Sequence, residues 1–344
     1  MKKVAIILGT RPEIIKISPI IRELIKKKAD FFIIHTNQHY DTNLDKIFFS
    51  DLNLPKAKYN LKIGSHTRSE QIKKMVDGIV KVLKKEMPDV CIVQGDTNTV
   101  LAGALASNKL DIKIAHVEAG LRSYDMQMPE EINRIETDKI SDWLFAPTAK
   151  SAKTLKKEKL SGKIIITGNT IVDAVLQNKK LITTKHAGKY AVLTMHRPAN
   201  VDSFEILNNT LKGLAKIPIN IIWPIHPRAR KSLKKFRIVV PKNIKIIDPI
   251  GYLDFLGMQK SAQIIFTDSG GIQEEACILK VPCVTLRKNT ERPETIDVKS
   301  NILVGSNQKK IIDGYNKMIK AKKNWKNPFG DGKASQRIVA QILK

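Results

Sequence analysis

The chain has 344 residues and a mass of 38.7 kDa, more than one typical domain, so two domains is the starting expectation. Sixty Lys and Arg against 33 Asp and Glu give a formal charge of +27, which directs attention to anionic partners: nucleic acid, a membrane surface or a phosphorylated substrate. No apolar run approaches the ~18 residues of a membrane span, the N-terminal run Val4–Leu8 is too short for a signal core, and Cys91, Cys277 and Cys283 lie at no metal-ligand spacing. These features argue against a membrane protein, a secreted disulfide scaffold and a structural metal site, and make the cytoplasm the expected address.

Apolar runs then alternate with amphipathic stretches in chain order. Strands are predicted at Val4–Leu8, Phe31–His35, Val90–Val93, Lys113–Val117, Trp143–Ala146 and Ile164–Thr167, with helices at Pro12–Lys28, Ser69–Lys85, Thr99–Asn108, Glu130–Ser141 and Ala149–Glu158 between them. A polar stretch, Thr183–Gly188, interrupts the pattern. It restarts with strands at Tyr190–Thr194, Asn220–Trp223, Ile244–Ile247, Gln263–Thr267 and Cys283–Leu286, and helices at Phe204–Lys216, Arg228–Phe236, Leu253–Lys260, Ile272–Leu279 and Gln308–Lys320. Continuous Val/Ile runs separated by helices imply parallel sheets covered on both faces. The expectation is an α/β protein of two Rossmann-like, doubly wound domains facing across a cleft. Residues 1–170 form the first and 171–330 the second, with a last helix within 331–344 packing back on the first.

Ligands of such sheets bind at the carboxyl ends of strands, and the unusual motifs fall there. Gly9-Thr10-Arg11-Pro12-Glu13 follows the first strand, with Lys16 one turn into the helix; a glycine turn, a helix N-terminus and two cations suit an anion. The bland alternative is a strand–helix turn in which Arg11 pairs with Glu13. Asp96, in Gln94-Gly95-Asp96-Thr97, lies where an N-cap also belongs. Glu118 follows the next strand in His116-Val117-Glu118-Ala119-Gly120, and Glu130 and Glu131 open the next helix. Asp96, Glu118 and one of Glu130 or Glu131 thus approach one rim, an arrangement suited to acid–base work.

The second half carries different chemistry. His196 and His226 each end a strand beside a Pro-stiffened turn, an arrangement suited to an oxyanion or phosphate. Thr267-Asp268-Ser269-Gly270-Gly271 opens a helix bearing Glu274 and Glu275; small residues there let backbone N–H groups cradle a diphosphate, and a Glu beyond them takes a ribose diol. Arg287 and Arg292 complete that rim. The residues describe a nucleotide-activated sugar as partner. With aromatics at only 6% and no basic–aromatic stripe, neither nucleic acid nor a membrane is expected as one.

The ordered motifs GTRPEIIK (9–16), QGDTNT (94–99), HVEAGLRS (116–123), PEEINR (129–134), TDSGGIQEEA (267–276), LRKNTERPE (286–294) and NPFGDGKAS (327–335) resemble the non-hydrolysing UDP-N-acetylglucosamine 2-epimerases, in wording like the archaeal branch. The resemblance implies the GT-B arrangement of two domains, a homodimer, no nicotinamide or other cofactor, and no metal. It implies that Asp96, Glu118, Glu130 and His196 match catalytic positions. Arg11 and Lys16 match the N-terminal basic pair, and Ser269, Gly270, Gly271 and Glu275 match diphosphate and ribose contacts. His226 and Arg292 are added as substrate-binding residues. The family's His-Arg-Arg-Glu-Asn reads His196-Arg197-Pro198-Ala199-Asn200 here. Gln38 and His39 match part of the second substrate site of bacterial members, whereas its downstream Arg-Gln pair has no counterpart near Thr67-Arg68.

The implied reaction exchanges UDP-N-acetylglucosamine and UDP-N-acetylmannosamine. Loss of UDP acidifies C2, a carboxylate takes the proton to give 2-acetamidoglucal, and UDP re-adds after protonation of the other face. Competing readings are a hydrolysing 2-epimerase, another GT-B nucleotide-sugar enzyme such as a glycosyltransferase, and a polyanion-binding protein driven by charge alone.

Overall fold

A computed structural model describes residues 2–38, 49–182 and 188–344. The chain divides into two compact units, residues 1–177 with 329–344, and residues 178–328.

The first unit is built on β1 (Lys3–Leu8), α1 (Arg11–Lys26), β2 (Asp30–His35), β3 (Tyr59–Asn60), α2 (Arg68–Glu86), β4 (Val90–Gln94), α3 (Asn98–Asn108), β5 (Lys113–Val117), α4 (Pro129–Ile140), β6 (Trp143–Ala146), α5 (Ala149–Lys157), β7 (Lys163–Ile166) and α6 (Thr170–Asn178). Its seven strands are all parallel, in the order β3-β2-β1-β4-β5-β6-β7. Strands β1 and β4 are buried along nearly their whole length, which explains their unbroken apolar sequence. The last helix of the chain, Ala334–Leu343, belongs to this unit; buried Asp173 accepts from Ser335 N at 2.9 Å and Ser335 Oγ at 2.6 Å at its start.

The second unit contains β8 (Tyr190–Thr194), α7 (Pro198–Val201), α8 (Phe204–Ala215), β9 (Asn220–Pro224), α9 (Pro227–Lys235), β10 (Ile244–Ile247), α10 (Tyr252–Ser261), β11 (Ile264–Thr267), α11 (Gly270–Leu279), β12 (Cys283–Thr285), α12 (Pro293–Asp297), β13 (Asn301–Leu303) and α13 (Gln308–Met318); α14 is Ala334–Leu343. Its sheet is also parallel, ordered β10-β9-β8-β11-β12-β13, around a core that includes Trp223 and Phe266. Both units are therefore the doubly wound α/β sheets that the sequence predicts.

Strand order reverses between β1 and β4 in one sheet and between β8 and β11 in the other. These are the topological switch points at which α/β sheets take ligands. The turn after β1 leads into Arg11 at the head of α1 and the loop after β4 carries Asp96, while those after β8 and β11 carry His196 and Ser269. Residues 183–187 of the polar stretch, and His39, lie outside the described residues. Among the described residues no helix is long and apolar enough to cross a membrane.

Candidate active site

At the first switch point the β1 loop is packed against its neighbours. A Cβ on Gly9 would stand 2.1 Å from Thr36 Oγ1 and 2.2 Å from Thr99 Oγ1, so only glycine fits. Glu13 accepts from Gly9 N at 2.6 Å, from Thr10 N at 2.8 Å and from the Thr97 hydroxyl. It thereby ties the turn after β1 to the turn after β4. Burial pushes its carboxyl up to about 7, although these hydrogen bonds pull the other way. Arg11 is half-buried at the head of α1.

Lys16, one turn further along α1, is buried and reaches Glu118. Its Nζ stands 2.5 Å from Glu118 Oε2, which also accepts from Gln94 Nε2 at 3.1 Å. Glu118 has φ +74, a left-handed backbone that non-glycine residues seldom adopt and that clusters at functional sites. The strained turn directs its carboxylate back over the end of β4.

Asp96 does not cap α3; Thr97 does, its Oγ1 accepting from Val100 N. Asp96 instead pairs with Arg134 of α4, and stays about a quarter exposed while Arg134 is buried. Arg134 also binds Glu131 Oε2 at 2.6 Å. The two adjacent glutamates of α4 separate cleanly. Glu131 is fully buried and accepts from Ser123 N, Ser123 Oγ and Tyr124 N at 2.9–3.0 Å, so its oxygens are committed to the loop after Gly120. Glu130 is half-buried in the first turn, and no hydrogen bond or ion pair engages its carboxylate among the described residues. Glu130, Arg134 and Asp138 follow at four-residue spacing along one side of α4.

Gln38, one part of the motif shared with bacterial members, accepts on Oε1 from Thr99 N at 3.2 Å and Thr99 Oγ1 at 3.0 Å. Arg68 donates to Asn133 Oδ1 at 2.7 Å, and Asn133 donates to the Asp96 carbonyl at 2.9 Å.

In the second unit, fully buried Asp268 organises the turn after β8. It accepts from His196 N at 3.0 Å, Arg197 N at 3.0 Å and Asn200 Nδ2 at 3.1 Å, and pairs with His196 Nδ1 at 3.0 Å. Burial would raise its carboxyl, but the facing His196 and the two backbone donors outweigh that and hold it below the usual range. With Nδ1 held by a carboxylate, His196 presents Nε2 outward. Pro198 and Ala199, where the sequence departs from the family wording, are exposed on α7, whereas His196 and Asn200 at the ends of that segment keep the Asp268 contacts. The His226 ring lies 5.7 Å from that of His196; its Nδ1 accepts from Arg228 N at 3.1 Å, which leaves the proton on Nε2.

Ser269 is the N-cap position of α11, and Gly270 and Gly271 are its first residues. A Cβ on Gly270 would meet nothing nearer than 3.5 Å, and one on Gly271 nothing nearer than 3.9 Å. The protein's own packing therefore does not demand these glycines, and the backbone N–H groups at the start of α11 are of the kind that take an anion. Glu275 is buried and accepts from Gln259 Nε2 at 2.6 Å; Arg292 is buried and binds Glu274. Arg287 grips Glu291 with two hydrogen bonds, at 2.8 and 2.9 Å.

The family model described as UDP-N-acetylglucosamine 2-epimerase matches residues 22–343. A protein of Methanocaldococcus jannaschii named UDP-N-acetylglucosamine 2-epimerase is 57% identical over 98% of each chain, and one of the same name from Methanococcus maripaludis is 56% identical over 98% of each. The crystal structure of the Methanocaldococcus jannaschii UDP-GlcNAc 2-epimerase in complex with UDP-GlcNAc and UDP superposes with a TM-score of 0.95, at 56% identity and 99% coverage of both chains. With that match across nearly its whole length, the chain belongs to the UDP-N-acetylglucosamine 2-epimerase family.

Proposed function

We propose that the protein interconverts UDP-N-acetylglucosamine and UDP-N-acetylmannosamine without net hydrolysis, by losing UDP to form 2-acetamidoglucal and re-adding it. The observation that carries this reading is the set of carboxylates in the first unit. Asp96 and Glu118 each leave a strand end at or beside the switch point, each with a cation, and Glu130 opens α4 with its carboxylate unengaged among the described residues. Inverting C2 needs groups that remove a proton from one face and return it to the other.

Cleaving the anomeric C–O bond first places positive character on C1 and acidifies C2–H, so no redox cofactor is needed. The departing UDP carries the electron pair and needs cations and N–H donors. His196 Nε2, His226 Nε2 and the start of α11 at Ser269-Gly270-Gly271 supply these in the second unit, and Arg11 is the candidate cation of the first. Glu275 takes the ribose diol, and Arg292 is held against Glu274 at the same rim. A homodimer, a cytoplasmic address and a supply of UDP-N-acetylmannosamine to surface-glycan synthesis complete the proposal.

Proton NMR of UDP-N-acetylglucosamine incubated with the protein tests it. The proposal requires the UDP-linked manno epimer to appear and reach equilibrium. Stoichiometric free N-acetylmannosamine and UDP would identify the hydrolysing reaction instead.

A further inference from the structure

His116 of β5 is fully buried in the first unit and has no part in the chemistry above. Its Nδ1 faces Asp138 Oδ1 at 2.7 Å, and its Nε2 faces the carbonyl oxygen of Gly95 at 2.8 Å. The ring thus bridges the carboxylate of α4 and the carbonyl of the turn after β4. Asp138 is held ionised: burial would raise its carboxyl, but His116 and Arg122 together outweigh that and keep it below the usual range. Its second oxygen binds Arg122 at 2.7 Å and accepts from Gly120 N at 3.1 Å. Arg122 in turn binds Glu158 at 2.7 and 2.9 Å. The charged groups facing the ring are therefore Asp138 from α4, then Arg122 and, behind it, Glu158.

The chain Gly95 O–His116–Asp138–Gly120 N links two irregular turns. Gly95 (φ +89) precedes Asp96, and Gly120 (φ +80) follows Glu118 (φ +74) by two residues. A Cβ at Gly120 would also stand 2.5 Å from the Ser151 carbonyl oxygen, so that turn has little room to shift. Helix α4 meets both ends of the arrangement, with Arg134 on Asp96 and Asp138 on His116.

We propose that His116, hydrogen-bonded between Asp138 and the Gly95 carbonyl, is a positioning residue that fixes Asp96 and Glu118 relative to each other. This rests on the reading that those two carboxylates act on the sugar. Misplacement by about 1 Å far from the reacting atoms can cost on the order of 100-fold in rate.

The test uses the full-length protein. His116→Gln should lower kcat about 10- to 100-fold, with KM within about threefold of the wild type and UDP affinity unchanged. Asp138→Asn, which weakens the same bridge from the α4 side, should lower kcat in the same way with KM within about threefold, a split that a purely structural defect would not create. A folded His116→Gln or Asp138→Asn protein with kcat within twofold of wild type would overturn the proposal. Failure of the underlying reading shows differently, as turnover that survives Asp96→Asn and Glu118→Gln.

Discussion

Lys16 Nζ stands 2.5 Å from Glu118 Oε2, with neither side chain more than 8% exposed. A lysine whose sequence context suggests an anion site thus supplies the counter-charge to a buried carboxylate at the same switch point. Removing one partner of such a pair leaves the other charge buried without that counter-charge and costs about 3–5 kcal/mol, whereas removing both charges costs far less. Lys16→Met should therefore be strongly destabilised in urea, and the Lys16→Met/Glu118→Gln double variant should recover much of the loss. Additive single effects would show that the two charges do not interact.

The adjacent glutamates of α4 should separate by phenotype. Glu130→Gln, like Asp96→Asn, should slow turnover by about 100- to 10,000-fold with the fold intact, and Glu118→Gln should slow it as much while also losing stability, because it leaves Lys16 without that counter-charge. Glu131→Gln should act first on stability, because its carboxylate holds Ser123, Tyr124 and Arg134. Steady-state kinetics beside thermal melts distinguish the two, and near wild-type turnover in the first three variants would remove them from the reaction.

Glu275→Ala should weaken UDP binding by about 1.5–3 kcal/mol, the contribution of a hydrogen bond to a charged group. Titration calorimetry with UDP alone measures this. Unchanged affinity would move the ribose contact to another residue.

The Glu13 carboxyl, raised by burial from its ordinary 4.5 to about 7, gives a pH dependence with a fixed sign. Between those values the folded protein holds a proton that the unfolded chain has released. This contribution to stability is complete below about 4.5, declines as pH rises to about 7 and is level beyond. Glu13→Gln keeps acceptor and donor in place and should flatten that decline in urea midpoints measured from pH 5 to 8. Parallel wild-type and variant profiles would refute the assignment.

Much of the fold was legible because a strand buried on both faces reads as an unbroken Val/Ile run, as in β1 and β4. Helix α6 was not. Ile171, Val172, Ala174 and Val175 are all buried, so no polar stripe marks it, and the periodicity predicts no helix there. The two-residue β3 and three-residue β13 are too short to show any periodicity. Strand-end motifs brought Asp96, Glu118, His196 and Ser269 into view because Gly, Pro and Asp mark those turns. Three features depended on long-range packing and left no local signal: the reach of Lys16 to Glu118, the division of roles between Glu130 and Glu131, and the burial of His116 against Asp138. Sequence separations of 102 and 22 residues in the two pairs show why.

The central claim is that UDP leaves and returns while C2 loses and regains its proton. NMR of UDP-N-acetylglucosamine turned over in heavy water, with oxygen-18 placed in the bridge to the β-phosphate, tests both halves at once. The manno epimer should carry deuterium at C2, the label should spread between bridge and non-bridge positions of the β-phosphate, and long incubation should release some UDP and 2-acetamidoglucal. Epimer formed with its C2 proton retained and the oxygen label unscrambled would contradict elimination and re-addition.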